Sequence, residues 1–194
     1  GEPGSGKSVL ALKLLAEFAQ CGLICLYITL DESPGAVVDR LVAFGIIPGA
    51  LVVKVLDRAR LHQELEEVAA AREGVLAIYQ CSADEENLTA IIESVGGACD
   101  KMSRSGAVAI DGVSSLDFAS GEFGDDGDQR LARRMAVRQL TDEIEAKRLM
   151  GLLLSEEDGL DGLGGLPYLV DTVCRLSRDG AARWIELTKA RGQR

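Results

Sequence analysis

The chain opens on Gly1-Glu2-Pro3-Gly4-Ser5-Gly6-Lys7-Ser8, which matches GxxxxGK[ST] without departure. The pattern dictates a fold locally. Its glycines let the backbone curl so that successive N–H groups point inward at an anion. A helix must leave the loop, because its positive N-terminal end completes the anion site. The run from Lys7 to Gln20 supplies that helix. A strand normally feeds such a loop, and none precedes Gly1. The expectation is therefore one domain over residues 1–194, truncated at its N-terminus, whose sheet lacks that central first strand.

The rest of the chain alternates. Apolar runs at Leu23–Thr29, Leu51–Leu56, Val75–Tyr79, Ala107–Ile110 and Leu149–Leu154 read as strands. Helical patterns fall at Lys7–Gln20, Gly35–Phe44, His62–Arg72, Glu85–Met102 and Asp128–Arg148. Such alternation predicts an α/β fold, a mainly parallel sheet with helices on both faces. The end differs. Val170–Ser177 and Ala181–Thr188 flank Arg178-Asp179-Gly180, and Asp-Gly between strand runs predicts a C-terminal β-hairpin.

The loop assigns chemistry to its own residues. The backbone of Gly1, Glu2, Pro3, Gly4, Ser5 and Gly6 would cradle phosphate oxygens. Lys7 would reach the β- and γ-phosphates of ATP, and the Ser8 hydroxyl would bind Mg²⁺. A second metal acid is expected at Asp111, which closes the apolar strand Ala107-Val108-Ala109-Ile110 in the Walker B manner. Asp31 and Glu32 follow another apolar strand, where the carboxyl ends of parallel strands gather ligands. Either acid can orient water as a base. The competing reading is that Asp31-Glu32-Ser33-Pro34 only starts the next helix.

Charge and composition exclude other classes. The net charge is -10, and duplex binding needs cationic contacts, so nucleic acid is not an expected partner of this segment. One histidine, His62, leaves no His-rich zinc site and no Ser/His/Asp triad as an expectation. Five cysteines without a CxxC read as buried reduced thiols, which points to the cytoplasm. No apolar run reaches the roughly 20 residues of a membrane span. Glu64, Glu66 and Glu67 read as a solvated helix face. Arg130, Arg133, Arg134 and Arg138 read as another solvated face, with a subunit- or DNA-facing patch as the alternative. Trp184 reads as core or edge cover, and Tyr79 and Tyr168 as structural residues.

Taken in order, GEPGSGKS, YITLDESP with LVAFG after it, AVAIDGVSSL and IELTKARG resemble the KaiC-like ATPases of the RecA-like P-loop superfamily. The likeness runs from Gly1 to Gly192. It implies an Mg²⁺-dependent ATPase, with the catalytic carboxylate at Glu32 or Asp31. Family members usually carry two glutamates there, so Asp31 is a departure. It implies that Lys189 and Arg191 act on the γ-phosphate of a neighbouring subunit. A homo-oligomeric ring, commonly a hexamer, follows from that. Ser155, ending the fifth strand, resembles a polar sensor of the γ-phosphate, and Ser114 and Ser115 a similar polar shelf. Counting back from Asp171-Thr172, the clock protein's phosphorylated Ser-Thr pair becomes Pro167 and Tyr168, so autokinase activity is not implied. Two rival readings remain at this point: a DNA-repair ATPase similar to RadA or RecA, and a nucleotide-binding interaction module that does not hydrolyse.

Overall fold

The structure, a computed structural model, describes residues 4–47, 51–71, 74–81, 88–115, 126–156 and 169–190, with the side chains of 126–133 excepted. The elements run α1 (Lys7–Gln20), β1 (Ile24–Thr29), α2 (Pro34–Ala43), β2 (Val52–Val55), α3 (Leu61–Ala70), β3 (Val75–Gln80), α4 (Leu88–Met102), β4 (Gly106–Asp111), α5 (Asp126–Ala146) and β5 (Met150–Leu154). A hairpin of β6 (Thr172–Asp179) and β7 (Ala182–Ala190) follows. Strands β1 to β5 pair in parallel in the order β2-β3-β1-β4-β5, while β6 and β7 form a separate antiparallel pair. The five parallel strands pair without a gap, with β1 at their centre, and among the described residues no strand precedes α1.

Both faces of the sheet are covered, as the unbroken apolar strands require. Cys25 and Tyr27 of β1 face a core built with Leu12 and Leu15 of α1 and Val37 and Leu41 of α2. Ile24, Leu26 and Ile28 face the opposite core, with Leu65 of α3, Ile92 of α4 and Val137 of α5.

Arg104, in the turn before β4, ties two helix ends together. Its Nε and Nη2 donate to Gly22 O, just past α1, at 2.9 and 2.6 Å. Its Nη1 donates to Ala69 O and Ala71 O at the end of α3, at 2.8 and 2.9 Å. A planar fork with donors on three sides can do this, and a cation suits the negative helix ends. Arg104→Ala is expected to lower stability by about 2 kcal/mol, the scale of charged hydrogen bonds on a partly exposed group. Arg104→Lys should recover less than half of the loss, because one ammonium cannot span three carbonyls. A urea midpoint unchanged in both variants would refute this.

Four expectations are corrected. The hairpin turn is centred on Gly180-Ala181, since Asp179 pairs with Ala182. Gly180 alone of these takes a positive φ, +57°, the pattern of a II′ turn with Gly first. Trp184 is 62% exposed, because no described element packs over β7 at that point. Glu64 is buried, and its Oε2 accepts the Asp57 N–H at 2.7 Å, while Glu66 and Glu67 pair with Lys101 and Lys54 as surface acids do. Cys21 and Cys174 are exposed, whereas Cys25, Cys81 and Cys99 are buried. Burial pushes the Cys25 thiol up to about 12 and the Cys99 thiol up to about 11, which keeps both protonated and inert.

Candidate functional site

The carboxyl ends of three strands are level. Thr29 of β1 pairs with Asp111 of β4, and Asp111 with Leu154 of β5. The loop into α1 faces these ends across a cleft of about 600 Å³. Gly4, Gly6, Lys7 and Ser8 line one side, and Asp31, Glu32, Asp111, Ser114 and Ser115 the other.

Gly6 caps α1 with a φ of +99° and brings no side chain to the cap, and Gly6, Lys7 and Ser8 line the cleft at the start of the helix. The amides of a first helical turn form an anion site. The Ser5 Oγ is buried with no hydrogen-bond partner among the described residues, which also fits a loop shaped around an acceptor. Gly1, Glu2 and Pro3 lie outside the described residues.

Past β1 the chain turns sharply, and the Thr29 hydroxyl fixes the turn. Its Oγ1 accepts the Glu32 N–H at 3.0 Å and donates to Glu32 O at 3.1 Å. Ser33 then caps α2 by accepting the Ala36 N–H at 3.3 Å, with Pro34 at the first helical position. Starting the helix is therefore the work of Ser33 and Pro34, and both acids face the cleft. The Asp31 carboxylate lies against Gly112, whose φ is +91° and where an added Cβ would collide with Asp31 Oδ2. Glu32 Oε1 accepts from Arg40 Nη2 of α2 at 2.6 Å, while Glu32 Oε2 and Arg40 Nη1 are buried without described partners. That bond holds the Arg40 guanidinium further above its ordinary value.

Asp111 is held from behind the cleft. The Tyr27 hydroxyl donates to Asp111 Oδ2. Burial first, and the Asp111 charge second, hold this phenol well above its ordinary range, so it stays a proton donor. Among the described residues no group of three or more His, Cys, Asp or Glu forms a metal cage. One carboxylate and one hydroxyl suit Mg²⁺, which keeps waters and takes phosphate oxygens for its other positions.

The remaining expectations divide. Ser155 Oγ donates to Glu156 O at 3.1 Å, and the cleft wall there is made by Leu154 and Glu156. Lys189 Nζ donates to Val170 O at 2.6 Å and does not line the cleft of its own chain. Arg191, Pro167 and Tyr168 lie outside the described residues. So do the Arg130 and Arg133 side chains, while Arg138 pairs with Asp142 at 3.6 Å on an exposed face. Among the residues that sequence reasoning missed are Arg40 and Arg183, which line the cleft, and Tyr27, buried behind it. Arg40 had a signal, two helical turns after Glu32. Tyr27 stands four residues before Asp31 in a strand otherwise free of polar groups until Thr29. Arg183 of β7 had none, yet its guanidinium lies 3.8 Å from where a Gly6 Cβ would be.

The family model described as the KaiC ATPase matches residues 1–194. No curated protein matches the chain.

Proposed function

The chain belongs to the KaiC ATPase family, and from that premise we propose that it hydrolyses Mg²⁺–ATP in this cleft, between subunits of a homo-oligomeric ring, as one domain over residues 1–194. The observation that carries the reading is the meeting of Lys7, Ser8, Asp111 and the acid pair in one cleft. Lys7 and the loop amides hold the β/γ-phosphate oxygens as negative charge redistributes between them. Ser8 and Asp111 would hold the metal. When bound, Mg²⁺ would neutralise part of the phosphate charge. Glu32 orients a water through Oε2 and takes its proton as the oxygen–γ-phosphorus bond forms and the bond to the β-phosphate oxygen breaks. Asp31, held against Gly112, flanks that water. Products are ADP and phosphate.

Lys189 does not line the cleft of its own chain, and the ring rests on the family likeness. With Arg191, Lys189 would act on a neighbour's γ-phosphate, and a hexamer is the ring size we propose. Among the described residues no helix is long and apolar enough to cross a membrane. The cytoplasm is the proposed compartment.

Lys7→Ala tests the phosphate assignment. Its ammonium is the loop's only side-chain cation, so the variant is expected to lose tight ATP binding while keeping its fold. Nucleotide affinity equal to the parent's, measured by calorimetry on a folded variant, would remove the assignment.

A further inference from the structure

We propose that Tyr27 is a positioning residue for the metal: its phenol holds the Asp111 carboxylate in place from the buried side of the sheet, and so fixes one of the two protein donors. The inference rests on the phosphate-site reading above.

The contact follows from strand register. Tyr27 is opposite Ala109 on β4, and Asp111 is two residues further along the same face. A diagonal neighbour across two strands lies about 7–8 Å away, within reach of an aromatic side chain. Ala107 and Ala109 share the core cluster of Tyr27, and their small side chains leave room for the ring. Tyr27 is fully buried, and a buried phenol must find partners. The one it finds is Asp111, at the end of the neighbouring strand β4.

Proton count gives the contact a direction. The phenol has one proton, and Asp111 receives it through Oδ2. The donor behind the carboxylate does not itself line the cleft. Partners behind metal ligands are worth about 10- to 100-fold in metal affinity. A buried tyrosine that only filled space would not sort metal-bound from metal-free nucleotide.

The test is Tyr27→Phe in the full-length protein, which keeps the ring and removes the hydroxyl. ADP affinity is measured calorimetrically with Mg²⁺ and with chelator. In the parent, Mg²⁺ should tighten ADP binding. In the variant that gain should shrink about 10-fold or more, while metal-free ADP affinity stays within about twofold. An undiminished gain overturns the proposal. A parent that gains nothing from Mg²⁺ overturns the assignment of Ser8 and Asp111 to the metal, and so marks failure of the underlying reading rather than of the Tyr27 contact alone. A measurement on the unmutated protein covers the case of a variant that does not fold. With ring-labelled tyrosines, paramagnetic Mn²⁺ added with ADP should broaden one tyrosine signal far more than the others. If every tyrosine signal keeps its width, no phenol stands at the metal and the proposal falls.

Discussion

Glu32→Gln should keep ATP bound while hydrolysing it about 10²–10⁴-fold more slowly, the usual contribution of a positioned acid–base group. The amide keeps the shape of the side chain and can still accept from Arg40 at Oε1. What it loses is a basic oxygen at the position of Oε2, buried and without a described partner. The backbone at Glu32 is pinned on both sides by Thr29 Oγ1, so the substitution has little freedom to rearrange the turn. Asp31→Asn is the companion experiment, because Asp31 lines the same cleft. Single-turnover rates with saturating Mg²⁺–ATP separate the two acids. If both single variants and the double variant match the parent, the base lies elsewhere.

A second large effect is expected from the far end of the chain. Arg191→Ala should bind ATP normally but hydrolyse it about 10³–10⁵-fold more slowly, the scale of an arginine supplied in trans. A head-to-tail interface that closes on itself gives every site such a neighbour. Full-length Lys7→Ala and Arg191→Ala subunits, each inactive alone, should regain part of the activity when mixed, because some interfaces then pair an intact Lys7 with an intact Arg191. Equal turnover by a monomeric form and the assembled form would refute action between subunits.

What the sequence disclosed and what it hid follow a physical division. Local signals held. Lys7–Gln20 is helical over the residues expected, and each of the five parallel strands lies within two residues of its apolar run. The loop, Asp111 and the acid pair converge because parallel strands must deliver their carboxyl ends to one side of the sheet. Contacts set by register were not legible. That Tyr27 reaches Asp111 depends on β1 lying beside β4 rather than β2, which no local pattern encodes. Arg183 over Gly6 depends on how the hairpin lies against the loop. Glu64 was misread for a related reason: its acidic neighbours form a surface stripe, and its acceptor role arises only where the Asp57 N–H needs a partner.

The central place of β1 also bears on how the protein is made. Cys25 pairs with Leu76, and Ile24 with Gly106, so the second strand partner is not available until more than half of the chain has been synthesised. At about 5–20 residues per second, Ile-Cys-Leu-Tyr-Ile-Thr waits several seconds outside the ribosome with both edges open. An uncharged, β-prone hexamer without proline is the kind of segment that pairs with copies of itself. Helices α1 and α2 are complete before β4 appears and cover only one face of that strand. The residue that holds Asp111 is therefore carried by the segment most exposed to misassembly during synthesis, and a slow translation stretch between β1 and β4 would lower the yield of soluble protein more than one placed after β4.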